Sequence, residues 1–304
     1  MLPSSTHPRA RTAPITRVLA LLAAAVVGLA SGVAAQTPDL ATTISALEYR
    51  EIGPALMGGR VSSLAVVESR PQTFFLGTGT GGLWKTENHG TSWTPLFDDQ
   101  PTSSIGDVTI DQQNPNLVWV GTGEPQNRQS SPWGNGVYKS TDGGATWAHM
   151  GLEETKHIGR VIIDPRDPDV VWVAAVGDLW GPNPERGVYR TTDGGDTWEL
   201  VLHIDEHTGA IDLAMDPNDS KTVFAAMYQR RRTGFGFNGG GPGSGLYRTL
   251  DGGESWDLVL YIDEHTGAID LAMDPNDPKT VFAAMYQRRR TGFGFNGGGP
   301  GSGL

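Results

Sequence analysis

Apolar residues along this chain come in short alternating runs with no helical stripe. Gly136-Val137-Tyr138-Lys139, Gly187-Val188-Tyr189-Arg190 and Gly245-Leu246-Tyr247-Arg248 alternate as half-buried strands do. Val161-Ile162-Ile163 and Val170-Val171-Trp172-Val173-Ala174-Ala175 read as a second pair of strands before the Gly187–Arg190 run. Between the runs stand turn-forming clusters such as Asp164-Pro165-Arg166-Asp167-Pro168. With 42 Gly and 20 Pro spread over 304 residues, the pattern predicts an all-β chain of many short antiparallel strands.

A repeat orders these strands. The motif Ser/Thr-x-Asp/Asn-x-Gly-x-Thr/Ser-Trp occurs at Thr86–Trp93, Ser140–Trp147, Thr191–Trp198 and Thr249–Trp256. This is the Asp-box, or BNR repeat, and each copy lies between two strand-like runs, so it is expected to be a hairpin turn. Asn88, Asp142, Asp193 and Asp251 are suited to accept turn amides, and Trp93, Trp147, Trp198 and Trp256 to bury a ring between neighbouring sheets. These eight residues are expected to be structural. Four strands per repeat of about fifty residues describe a β-propeller blade, with strands A to D running outward from a central channel. The predicted blades span about 58–98, 102–152, 157–204 and 208–262, with a partial fifth at 267–304 that stops before its own Asp-box. Residues 204–246 and 262–304 are identical except for Ser220 against Pro278. With its fourth strand missing, the fifth blade predicts an open arc, unless residues 47–52 complete it.

The first 35 residues differ in kind. Arg9, Arg11 and Arg17 precede an apolar run ending in Val33-Ala34-Ala35, the pattern of a secretory signal cleaved after Ala35. Residues 36–57 are then a lead-in segment. Secretion or a periplasmic location is the expectation, with no membrane span in the mature chain. Cys is absent, which excludes thiolate metal sites and Cys nucleophiles. Removing the leader leaves 20 basic against 34 acidic residues, a formal charge of −14. Nucleic acid is thereby disfavoured as a partner.

Certain strings carry a resemblance. Tyr49-Arg50-Glu51-Ile52-Gly53-Pro54, Gly121-Thr122-Gly123-Glu124, Leu179-Trp180-Gly181-Pro182 and Met227-Tyr228-Gln229-Arg230-Arg231-Arg232 resemble large bacterial secreted proteins related to the sortilin (VPS10) N-terminal domain. Such proteins are often labelled glycosyl hydrolases because they share Asp-boxes with sialidases and xyloglucanases. The resemblance implies a propeller whose ligands are met at the B–C and D–A loops. In the xyloglucanase-like pattern the position matching Gly79 carries the catalytic Asp, so that carboxylate is missing here.

The chemistry on offer lies in the connecting loops. Glu124, Asp178 and Glu185 are the carboxylates from which a glycosidase pair could be drawn. Arg128, Trp133, Trp180, Arg186, Arg230, Arg231 and Arg232 are ligand-binding candidates, able to grip anions or stack on sugars. Arg60, Arg128, Arg160 and Arg186 have no spacing that identifies a sialidase triad. The same acids and arginines can also pair with one another merely to order the loops. No complete catalytic constellation, metal site or cofactor site emerges. The reading is an extracytoplasmic propeller module, part of a larger protein, that recognises a peptide or glycan; the alternative is a glycoside hydrolase.

Overall fold

The computed structural model describes residues 59–126, 128 and 130–304. The expected leader, the lead-in at 36–57 and the closing segment at 47–52 lie outside the described residues. Among these residues the one helical element is a 3-10 turn at Glu153–Thr155, and the rest is strand and turn.

The strands form successive antiparallel sheets. The first holds β1 (Val61–Val66), β2 (Phe74–Thr78), β3 (Leu83–Thr86) and β4 (Thr94–Pro95) in chain order. The second holds β5 (Ile105–Ile110), β6 (Val118–Thr122), β7 (Val137–Ser140) and β8 (Ala148–His149). The third holds β9 (Ile158–Asp164), β10 (Asp167–Ala175), β11 (Gly187–Thr191) and β12 (Glu199–Leu202). In the fourth, β13 (Thr208–Asp216) pairs with β14 (Asp219–Arg232), which runs on into a hairpin with β15 (Phe237–Gly239). β16 (Gly245–Thr249) and β17 (Asp257–Leu260) complete that sheet. β18 (Gly267–Met273) and β19 (Val281–Tyr286) form a two-stranded fifth sheet, followed by the hairpin β20 (Arg288–Arg290) and β21 (Phe295–Gly297).

The two copies of the duplicated sequence differ where their one substitution falls. β13 and β14 pair down to Asp216 and Asp219, whereas β18 ends at Met273 and β19 begins only at Val281. Pro278 stands where Ser220 stands in β14 and has no N–H to give to a ladder.

Arg230, Arg231 and Arg232 were expected in a loop. They lie instead on β14, and the alternation of a strand sets Arg230 and Arg232 on one buried side and Arg231 on the exposed one. β15 then pairs with β20, so the two duplicated hairpins build a small sheet of their own, β14-β15-β20-β21.

Sheets pack face to face, and each apolar core is shared by two neighbours. Phe75 and Leu83 of the first meet Val108 and Val118 of the second. Trp119 meets Val161 and Val173; Trp172 meets Leu213 and Val223; Ala226 meets Leu271 and Ala283. Trp147, Trp198 and Trp256 are half-buried on the edge of these cores, whereas Trp93, expected to bury its ring likewise, is exposed and meets only Phe74 of its own sheet edge-on, because no described sheet precedes the first. Trp147 and Trp198 donate Nε1–H to the carbonyls of Leu96 and Met150 in the preceding sheet, at 2.8 and 2.7 Å.

The four repeat turns share one hydrogen-bond pattern. At Asp193, Oδ1 accepts from Thr191 Oγ1 at 2.7 Å and from the Thr197 N–H at 2.9 Å, while Oδ2 accepts from Thr197 Oγ1 at 2.6 Å. Asn88, Asp142 and Asp251 repeat the two Oδ1 contacts. These bonds hold Asp142 and Asp193 down to a pKa of about 2, with the Thr146 and Thr197 hydroxyls the largest cause, and push Asp251 lower still. Asp193→Ala is expected to lower the melting temperature by a few degrees and to leave any ligand affinity unchanged. Thermal unfolding beside a binding isotherm checks this, and a variant that melts normally but loses binding would contradict it.

Candidate functional site

The site is built on the inner strands β1, β5, β9, β13 and β18, each of which packs against the next. Every inner pairing carries a register shift at the same place, at Val61/Ser63, Ile105/Asp107, Ile158/Arg160, Ala210/Asp212 and Ala268/Asp270. Each is a β-bulge, which re-aims the residue after it. The re-aimed residues are Ser63, Asp107, Arg160, Asp212 and Asp270. Gly106 and Gly159 sit in two of the bulges, where an added Cβ would lie 2.0 Å from the Ile158 carbonyl oxygen and 2.1 Å from that of Ile211. Only glycine lets the next strand come so close.

These residues tie one sheet to the next. Ser63 Oγ accepts the Val108 N–H at 3.2 Å and donates to Asp107 Oδ1 at 2.5 Å. Asp107 Oδ2 accepts the Val161 N–H at 2.8 Å. Arg160 Nε donates to Asp212 Oδ1 at 2.6 Å, and Asp212 Oδ2 accepts the Leu271 N–H at 2.7 Å. Burial opposes the charge of Arg160, but Asp107 and Asp212 outweigh it and hold the guanidinium above its ordinary pKa. Burial also raises Asp107, against the pull of Arg160. Asp270, the last of the row, is raised by burial first, then by a hydrogen bond to Asp212 and by that carboxylate's charge.

The row lines one side of a cavity of about 980 Å³. Its other walls are Pro125, Gln126, Arg128 and Ser130 from the β6–β7 loop, with Tyr228, Arg230, Tyr286, Arg288 and Arg290 from the duplicated segments. A second recess of about 430 Å³ adjoins it and shares Arg128, Arg288 and Arg290, adding Trp180, Arg232, Phe235 and Phe237. Tyr228 is buried with no partner for its hydroxyl, and burial pushes it up to about 12.

None of the three carboxylates singled out in the sequence lines the cavity. Glu124 is fully buried and grips Arg60, whose Nε donates to Oε1 at 2.6 Å and whose Nη2 donates to Oε2; Arg128 stands 3.9 Å away. Asp178 Oδ1 accepts the Trp180 N–H at 2.8 Å, and Glu185 Oε2 accepts from the Tyr189 hydroxyl at 2.9 Å. All three therefore order loops, and the structure does not assemble them into a pair. Glu124 also packs against Gly79, where an added Cβ would lie 2.9 Å from its carboxyl carbon. The absence of a side chain at Gly79 thus leaves room for the Arg60–Glu124 ion pair beside it. Arg60→Met, which strands the buried carboxylate, is expected to cost about 2 kcal/mol in urea unfolding, and the double variant with Glu124→Met to recover most of it. Additive losses would contradict that account.

The candidate arginines separate into two groups. Arg186 is fully buried and spends its Nη atoms on the carbonyls of Val176, Asp178 and Gly181, and burial lowers it to about 10. Arg60 and Arg160 are committed to carboxylates, so Arg60, Arg160 and Arg186 do not form a free arginine triad. Arg128 and Arg230 reach the large cavity, and Arg232 lies 4.5 Å over the Trp180 ring in the recess. Arg231 lines a separate shallow recess with Glu264 and His265. Trp133 is exposed beneath Lys156, and Trp180 is half-exposed.

Sequence reasoning missed Asp107, Asp212, Asp270 and Tyr228 as wall residues. The signal for the acids was a charged residue near the start of four inner strands, closing the triplets Ile105-Gly106-Asp107, Ile158-Gly159-Arg160, Ala210-Ile211-Asp212 and Ala268-Ile269-Asp270.

Comparison with known proteins places this arrangement. A xyloglucanase from Paenibacillus sp is 23% identical over an alignment covering 82% of this chain and 26% of that protein. An oligoxyloglucan-reducing end-specific xyloglucanase from Emericella nidulans is 24% identical, covering 69% of this chain and 25% of its own length. The chain thus spans about a quarter of the curated relatives it matches. Among solved structures, an ancestral GH74 enzyme aligns with a TM-score of 0.57 at 18% identity, covering 83% of this chain and 32% of that one. The GH74 xyloglucanase of Xanthomonas campestris aligns with a TM-score of 0.55 at 16% identity, covering 82% and 39%. These likenesses show an all-β, propeller-like fold. The family described as Sortilin, neurotensin receptor 3, matches residues 135–292, just over half of the chain, and the chain belongs to this Sortilin-Vps10 family.

Proposed function

We propose that the chain is a glycan-binding propeller segment of a larger extracytoplasmic protein, with four four-stranded blades and a partial fifth in an open arc. The observation that carries this reading is the 980 Å³ cavity between the inner strands and the β6–β7 loop, walled by polar groups. It has the size of a small-ligand site and opens beside the aromatic rings of the adjoining recess, as sugar sites do. The similarity to xyloglucanases supports glycan over peptide as the ligand.

Hydrolysis of a glycoside is the second reading, and that same similarity favours it. Two carboxyls flanking a glycosidic bond stand roughly 5–9.5 Å apart. Asp212 is committed to Arg160 and the Leu271 N–H, and Asp107 to Ser63 and the Val161 N–H. A hydrolytic pair would therefore draw on residues beyond these. Affinity electrophoresis in gels containing xyloglucan or polygalacturonate, with a reducing-end assay on the same polysaccharides, tests both readings. Retarded migration without new reducing ends is expected. Unretarded migration in every polysaccharide would overturn the glycan reading, and new reducing ends would favour the second.

A further inference from the structure

The mouth of the cavity holds positive charge that no carboxylate answers. Arg230 is buried at the end of β14; one Nη donates to the Pro125 carbonyl, and its Nε has no partner. Arg288, its counterpart in the duplicated segment, also has an unpartnered Nε and lies between the rings of Phe237 and Phe295, 4.3 and 5.1 Å from their centroids. β15 pairs with both β14 and β20 and brings the two arginines to one wall, with Arg290 beside them. Among the described residues, none of the three has a carboxylate within 4.0 Å. The acids of the cavity stand elsewhere along the strand. Asp212 is level with Ala226, four residues before Arg230, a rise of about 13 Å.

A buried guanidinium without a counter-charge is costly, and three on one wall repel one another. Burial, joined by the charges of Arg186 and Arg288 and opposed by Tyr228, lowers Arg230 to about 10. A sheet that gathers such groups at an open cavity is suited to an anion.

We propose that this mouth binds an acidic sugar, a uronate-bearing oligosaccharide, with Arg230, Arg288 and Arg290 taking its carboxylate. The proposal rests on the glycan reading and deepens it. A uronate carries one carboxylate on a ring rich in hydroxyls. The hydroxyls suit Gln126 and the unpartnered Tyr228 hydroxyl beside Arg230, and the exposed Phe235 beside Arg290 offers a sugar-stacking face. An acidic peptide brings carboxylates with few hydroxyls and would carry further negative charge toward Asp107, Asp212 and Asp270.

Calorimetric titration of the full chain with trigalacturonate, a neutral xyloglucan oligosaccharide and triglutamate tests this. Trigalacturonate is expected to bind most tightly and to weaken at least about tenfold when salt rises from about 0.02 to 0.3 M. Arg290→Gln, at an exposed position, and Arg230→Gln are each expected to weaken it about tenfold and to leave the neutral sugar within about twofold. Circular dichroism reports whether Arg230→Gln is folded, and Arg290→Gln alone decides if it is not. If the neutral sugar binds while trigalacturonate binds no better and ignores salt and Arg290→Gln, the inference is wrong and the glycan reading stands. If triglutamate binds as tightly as trigalacturonate, the sugar assignment is wrong. Binding of triglutamate alone would overturn both.

Discussion

Replacing Asp212 by Ala is expected to lower the unfolding free energy by about 3–5 kcal/mol, while the same change at Asp270 leaves stability unchanged or slightly higher. The two residues occupy one position in two copies of one sequence, so local sequence is the same and context alone differs. Asp212 is buried, answers Arg160 and takes the Leu271 N–H of the following strand. Its loss strands a guanidinium and a backbone donor together. Asp270 has no such following strand within the described residues; burial and Asp212 raise its pKa, so its ionised form is a strain on the fold. The same contrast is visible in Phe224, which packs against the fifth sheet, and in its copy Phe282, which is 51% exposed. Urea unfolding of the two Ala variants at pH 7 measures the difference. Equal losses would mean that the inner-strand carboxylates do not tie sheet to sheet as described.

Stability is also expected to fall in two steps as the solution is acidified. His157 is fully buried, with Nδ1 at 3.0 Å from the Gly177 carbonyl and no partner for Nε2. Burial lowers its pKa from 6.5 to about 4. A group whose folded pKa is depressed adds stability above its unfolded pKa and loses that contribution as pH falls through the folded value. His157 therefore contributes roughly 3 kcal/mol near neutrality, lost progressively below pH 6.5 and gone below about 4. Asp142 and Asp193, lowered from 3.8 to about 2, follow the same sign in the window below. Asp107 and Asp270 act oppositely, since a raised carboxylate pKa means that protonation favours the folded state. His157→Gln, which keeps a donor for the Gly177 carbonyl, is expected to flatten the profile between pH 6.5 and 4 and to leave the lower step in place. An unchanged slope in that range would refute the assignment to His157.

Much of the architecture was legible because it is written in local chemistry. The turn at Asp193 needs an acceptor, a hydroxyl at each end and a glycine within eight residues, and all stand in the sequence. The alternation of Gly187-Val188-Tyr189-Arg190 likewise contains β11. The site was less legible because it is made by distant residues. Arg60 meets Glu124 across 64 positions, and Arg230 reaches Pro125 across 105. Spacing along the chain does not encode such encounters. Glu124 could be read as a candidate acid or as an arginine's partner on its loop, and only the fold shows that its partner is Arg60. The run Arg230–Arg232 looked like a loop because of its polarity, yet β15 and β20 extend the sheet and hold it as strand.

The proposed ligand site is the inner-strand cavity, at the end opposite the repeat turns. Hydrogen–deuterium exchange of the full chain, with and without saturating acidic or neutral oligosaccharide, measures this directly. The account predicts slowed exchange in residues 125–130, 228–232 and 286–290, with the turns at Asp142, Asp193 and Asp251 unchanged. Protection confined to those turns, with the cavity segments exchanging as before, would contradict it.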